Sequence, residues 1–194
     1  MISYPARSQR TRPNPDPCLN SISSLNLNLP ALNVVQNATL SPSYSCRSAA
    51  DFARGYETTA LFLSEFSKDR NAPELLLNGA CGSQDYFDVN TAGDEMSLIA
   101  DLGTTPLAAV TTHNAFNLQN VAAFGDYMQF SEEAKVVQGH TYAAVINSGD
   151  VHGLFVFTVV KFVPDLEVDL QFEVKDYQVN LGQVARSPGF DWNQ

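Results

Sequence analysis

Three histidines, three cysteines and one tryptophan are all that 194 residues hold of the side chains most often recruited to metal, redox and stacking sites. His113, His140 and His152 form no HxH or HExxH pair, which excludes the common zinc patterns. Cys18, Cys46 and Cys81 make no CxxC and no zinc-ligand spacing. Their odd number leaves at least one thiol unpaired in a monomer. Cys18 and Cys46 could close a loop in the leader, a pairing the sequence leaves open. Cys81, in NGACGS, has no neighbouring base to activate a thiolate. There is no GxSxG to present a nucleophilic serine, and Ser83 stands without a base in its own stretch. Neither GxxxxGK[ST] nor GxGxxG occurs, so no phosphate-cradling loop is written here. No apolar run approaches the roughly 20 residues of a membrane-spanning helix. The opening MISYPARSQRTRPNPDP also lacks the apolar middle region of a secretory signal.

Positive charge is scarce as well. Eleven Lys and Arg stand against 21 Asp and Glu, for a net charge of −10. The imbalance is uneven. The first 50 residues carry Arg7, Arg10, Arg12 and Arg47 against Asp16, a balance of +3; the remaining 144 carry 20 acids against seven bases, a balance of −13. A body that acidic repels phosphate backbones and anionic headgroups, which disfavours nucleic acid and membrane surfaces as partners. The basic leader reads first as a soluble, flexible arm, and otherwise as one that touches an acidic surface on a partner or on this body. Low lysine use with abundant Asn, Ser and Thr leans towards an extracytoplasmic setting.

What the chain does have is an ordinary globular share of apolar residues, 44%, in a length that suits one domain. Residues 1–47 are rich in Pro, Asn, Ser and Arg and read as an extended, largely irregular N-terminal arm. Within it SLNLNLPALNVV alternates apolar and polar positions, so Leu25, Leu27 and Leu29 share one side of an extended segment. Those leucines cannot be buried by the arm alone. Asn37-Ala38-Thr39 is an acceptor triplet for N-glycosylation in a eukaryotic secretory route. Residues 48–182 read as a single β-rich domain, and 183–194 as a tail carrying Trp192, an aromatic anchor for a partner surface.

Inside the domain, SAADFARGY suggests helical turns from Ser48. TTALFLSEF (58–66), PELLLNG (73–79), QDYFDV (84–89) and MSLIADL (96–102) are short β-type runs, and Pro106 suits the start of one helical turn. Residues 112–135 show no clear period. The last third is plainest: 141–147, 151–163 and 166–174 form three alternating runs separated by Ser148-Gly149 and Pro164-Asp165, which predicts an antiparallel meander. Pairing Ile146 with Val151 and Val163 with Leu166 puts Tyr142, Ala144, Ile146, Phe155, Phe157, Val159, Leu166, Val168, Leu170, Phe172 and Val174 on one face. The last strand carries Glu167, Asp169, Gln171, Glu173 and Lys175 on the other, as a half-exposed strand near an edge would. The middle strand breaks that simplicity, because Leu154, Val156, Val160 and Phe162 make its second face apolar too. At roughly 25 cal/mol per Å2, four such side chains left wet forgo several kcal/mol, so the leader or a partner should cover them. The apolar phase switches after Val174 to Tyr177 and Val179, which places a β-bulge at Lys175-Asp176. The fold class is therefore all-β: an antiparallel sandwich or flattened barrel.

FDVNTAGDE (87–95) starts like a calcium loop, with Asp88, Asn90 and Gly93 in suggestive positions. Counted from Asp88, however, the fifth position is Ala92 and the twelfth is Ile99, where an EF-hand needs oxygen ligands. MSLIADL, a strand-like run, also follows where that motif requires a helix. What remains is an acidic turn in which Asp88, Asn90 and Asp94 are the candidate ligands, and calcium the one cofactor they would serve. In the meander His140 and His152 fall roughly 17 Å apart, too far to share a metal. The expected function is a non-catalytic structural or interaction module within a larger protein assembly. Its partner, another subunit or itself, would meet Leu25, Leu27, Leu29, Leu154, Val156, Val160, Phe162 and Trp192. An extracellular ligand-binding sandwich, for carbohydrate with calcium-supported loops, is the alternative. A carboxylate-dependent hydrolase is the second, since many acids on a β body readily form pairs.

Overall fold

A computed structural model describes residues 27–43, 56–79, 84–89, 97–116, 131–148 and 150–180. The helical turns expected from Ser48, the ligand candidates Asn90 and Asp94, Leu25, all three cysteines and the tail with Trp192 lie outside those residues. Two antiparallel sheets face each other. One has five strands in the order β1 (Gln36–Leu40), β9 (Glu167–Val179), β8 (Val151–Val163), β7 (Thr141–Ser148) and β5 (Leu98–Asp101). The other has four, in the order β2 (Ala60–Leu61), β3 (Leu75–Asn78), β4 (Tyr86–Asp88) and β6 (Glu133–Lys135). Neither sheet closes on itself, so the architecture is a sandwich and not a barrel. Among the described residues no helix is long and apolar enough to cross a membrane.

Alternation builds the core. Tyr142, Phe155, Phe157 and Val159 from the large sheet meet Leu75, Leu77 and Phe87 from the small one, all fully buried. Phe87 packs edge-on against Tyr142 and Phe157, with centroids 5.3 and 4.9 Å apart, and Tyr142 stacks on Phe157 at 5.1 Å. The Tyr142 hydroxyl is not stranded there: it donates to the Lys135 carbonyl at 2.7 Å and accepts from the Val137 N–H at 3.0 Å.

The meander forms β7, β8 and β9, with its faces largely as the alternation predicts and its register adjusted. Ser148, not Ile146, pairs with Val151; a slip of two residues keeps every side chain on its face. Between β8 and β9 the ladder shifts twice. Phe155 pairs with Val174 and Leu154 with Asp176, which leaves Lys175 as the extra residue of a bulge at the expected place. The second shift, between Val159 and Lys161, was not foreseen. It leaves Val160 as the extra residue, 56% exposed, and turns Phe162 back towards the inter-sheet core. Leu166, expected in the core, is exposed in the reversal, where its N–H bonds to the Val163 carbonyl and Asp165 takes a positive φ of 60°.

The second face of β8 is covered from within the chain. Leu154 and Val156 pack with Ala143 against Leu102, Leu107, Val110 and Ala115. Leu102 follows β5, Leu107 opens a 3-10 turn, Leu107–Ala109, entered through Pro106 and closed by Val110, and Ala115 lies in the short helix α3 (Thr112–Phe116). Thr111 and Asn114 cap that helix reciprocally: the Thr111 N–H donates to Asn114 Oδ1 at 2.8 Å, and the Asn114 N–H to Thr111 Oγ1 at 3.3 Å. This corrects the assignment of the covering role to the leader. The leader lies at the edge instead, with β1 pairing antiparallel to β9 and Leu32 bridging to Val174. β9 is consequently an interior strand. Its Glu173, expected to be half-exposed, is buried and forms an ion pair with the partly buried Lys175.

TTALFLSEF is the other departure. Only Ala60–Leu61 is strand; it follows helix α1 (Tyr56–Thr59) and precedes α2 (Glu65–Asp69). Ser64 decides the matter locally, since its side chain accepts the Ser67 N–H at 3.1 Å as the N-cap of α2.

Candidate functional site

The N-cap of α2 brings a hydroxyl into the interior, and the chain around it collects three more polar groups. Ser64, Ser67, Glu74 and Tyr177 are each at most 6% exposed. Glu74 Oε1 accepts from Ser67 Oγ and from the Tyr177 hydroxyl, both at 2.5 Å, and Oε2 accepts from the Leu63 N–H at 2.9 Å. Ser64 Oγ lies 2.7 Å from the Tyr177 hydroxyl and 3.0 Å from Ser67 Oγ. The result joins α2, the start of β3 and the far end of β9, so it clamps one sheet to the other.

Tyr177 reaches Glu74 only because of the bulge at Lys175, which brings the inward phase round to position 177. Gly153, opposite it, makes room: a Cβ there would lie 2.6 Å from the Asp176 carbonyl oxygen and 3.3 Å from the Tyr177 ring.

Burial raises the Glu74 pKa above the usual glutamate value, against the opposing effect of its hydrogen bonds from Ser67, Tyr177 and Leu63. Burial likewise pushes the Tyr177 phenol up, helped by the charge of Glu74, so the phenol keeps its proton and serves as a donor.

Glu74 and Ser67 also line a cavity of about 240 Å3 between α2 and the β7–β8 end of the large sheet. Phe66, Val89, Ile146 and Val151 give it apolar wall, while Ser97 and Ser148 add hydroxyls. Arg70 and Asp150 form an ion pair at its rim, and the Arg70 guanidinium stacks 4.3 Å above the Phe66 ring. No sequence motif flags this place. Glu74 reads as a loop acid before an apolar run, and Tyr177 is 103 positions away. The one local signal was the polar S-E-F-S stretch inside an otherwise strand-like run.

The expected metal region is described only in part. Asp88 sits in β4 with its Oδ2 accepting from Asn78 Nδ2 at 3.3 Å. Among the described residues no group of three or more His, Cys, Asp or Glu is arranged to hold a metal ion. His140 is engaged elsewhere: its Nδ1 lies 2.9 and 3.0 Å from the two Asp101 carboxylate oxygens. Asp101 also accepts the Gly103 N–H at 2.8 Å, so the pair fastens one loop to another.

Of the expected partner-binding residues, Leu154 and Val156 are buried under the 102–116 segment, and Phe162 and Leu27 pack partly against the core. Val160 and Leu29 are exposed. Leu29 belongs to a run the sequence did not single out in full: Leu29, Leu32, Val34 and Val35 are exposed to 50, 48, 49 and 49%. The run is held in place by the Asn33 N–H on the Val174 carbonyl, at 2.8 Å, and by β1 beyond it.

No protein-family model, curated protein or solved structure matches the chain.

Proposed function

We propose that this protein is a non-catalytic β-sandwich subunit that assembles with further copies of itself, the N-terminal arm of one copy docking on the body of the next. The observation that carries this reading is the row Leu29, Leu32, Val34 and Val35, half-exposed on an arm whose backbone is fixed to β9. Large apolar side chains scattered over a surface need no explanation, but four within seven positions concentrate exposed apolar surface on one anchored segment. Charge supports a second copy as the partner. The first 50 residues carry +3 and the rest −13, so a neighbouring body packed against this N-terminal part brings opposite charges together. Among the described residues β1 is the outermost strand of its sheet, and its outer edge offers backbone groups to the same contact.

Hydrogen exchange on the full chain tests the reading. Amides of residues 27–40 exchange more slowly as protein concentration rises, and addition of salt reverses part of that protection. Exchange in the arm that is the same at every concentration would overturn it.

A further inference from the structure

We propose that the cavity beneath α2 is a binding site for a neutral, polyhydroxylated ligand the size of one pyranose ring, taken free or as the terminal residue of a glycan. Volume sets the size. About 240 Å3 is below the usual range for drug-sized ligands. One sugar ring fits; a disaccharide would have to leave its second ring outside.

The lining sets the chemistry. Arg70 is the cation at the rim, and its charge is already matched by Asp150. Beside that neutralised pair stands a buried carboxyl and no other cation in the lining, so a phosphate or carboxylate ligand finds no spare positive charge. A cationic ligand fares little better, because Asp150 is committed to Arg70 and both Glu74 oxygens already accept hydrogen bonds from the protein. What the walls do offer is alternation of hydroxyl and hydrocarbon. Ser97 and Ser148 offer hydroxyls to a ligand, Ser67 having given its proton to Glu74, while Val89, Ile146 and Val151 meet C–H faces. Ser97 Oγ accepts the Asn147 N–H at 3.1 Å, which leaves its own proton for a ligand oxygen. Rings bearing hydroxyls at their edges and C–H groups on their faces match such a lining. The Phe66 face is taken by Arg70, so the site works by edge hydrogen bonds and aliphatic contact instead of aromatic stacking.

Saturation-transfer NMR on the full chain, with and without a calcium chelator, is the test. The probes are D-glucose, D-galactose, D-mannose, their methyl glycosides, glucuronate and glucosamine. At least one neutral sugar should bind in the millimolar range or tighter, without calcium, and more tightly than both charged analogues. Methyl glycosides that bind as well as the free sugars assign the site to glycan ends; free sugars binding alone assign it to monosaccharides. Ala72→Met and Ser148→Met fill the cavity from two sides. Each should weaken binding at least about tenfold while melting as wild type, and one folded variant suffices for the comparison. No transfer from any neutral sugar overturns the proposal. So does preference for a charged analogue, or binding that survives in a folded filling variant.

Discussion

The Tyr177 hydroxyl donates to Glu74 Oε1 at 2.5 Å, across the gap between the two sheets and over 103 positions of sequence. Neither residue stands alone: Ser64 and Ser67 complete the cluster, and Ser67 and Glu74 line a cavity. Removing the carboxyl altogether strands the Leu63 N–H and takes from the Ser67 and Tyr177 hydroxyls the acceptor they share. Glu74→Ala should therefore cost about 2–4 kcal/mol in denaturant unfolding. Glu74→Gln keeps a neutral side chain of the same shape, with an acceptor for Leu63 and donors for the hydroxyl pair, and should lose far less.

The same pair predicts a pH dependence. The folded-state pKa of Glu74 is raised, so the folded protein prefers the protonated form. That contribution is present in full below the ordinary glutamate pKa and is lost as pH rises through the raised value. Unfolding titrated from acid towards neutral pH should show this decline in wild type and its absence in Glu74→Gln. Tyr177→Phe, which removes a bond that favours the ionised carboxylate, should extend the decline to higher pH and cost about 1–2 kcal/mol.

Gly153 is the backbone condition for that geometry. An added methyl meets the Asp176 carbonyl oxygen at 2.6 Å, and that atom cannot swing aside as a side chain would. Gly153→Ala should destabilise by about 1–3 kcal/mol and shift the Glu74 titration, because the strain falls on the bulge that aims Tyr177. An unchanged melting temperature would show that β9 slides freely there.

The unforeseen bulge at Val160 separates two residues that simple alternation places together. Val160→Ser should change stability by less than about 0.5 kcal/mol, whereas Phe162→Ala should cost about 2 kcal/mol. Equal effects would mean that both side chains share one environment.

The meander was legible because its information is local: alternation sets faces, and the phase change at Lys175 marks a bulge. The bulge at Val160 left no such mark, since Val159, Val160 and Phe162 are apolar on either side of the slip. The cover over Leu154 and Val156 was misassigned for a related reason. Leu107 and Ala115 sit in a 3-10 turn and a one-turn helix, with Val110 between them, all too short to show a period. The Glu74 cluster could not be read at all, because its members come from three elements and only the fold brings them together. In TTALFLSEF, propensity favoured a strand and the serine cap won.

Association through the arm is the central claim, and sedimentation velocity over a range of concentrations measures it most directly. The full chain should sediment as a particle of at least twice the 21.2 kDa chain mass. Replacing Leu29, Leu32, Val34 and Val35 by serine should return it to the monomer while the melting temperature stays near that of wild type. A 21.2 kDa species at every concentration for the unaltered chain, or unchanged assembly of the serine variant, would contradict the account.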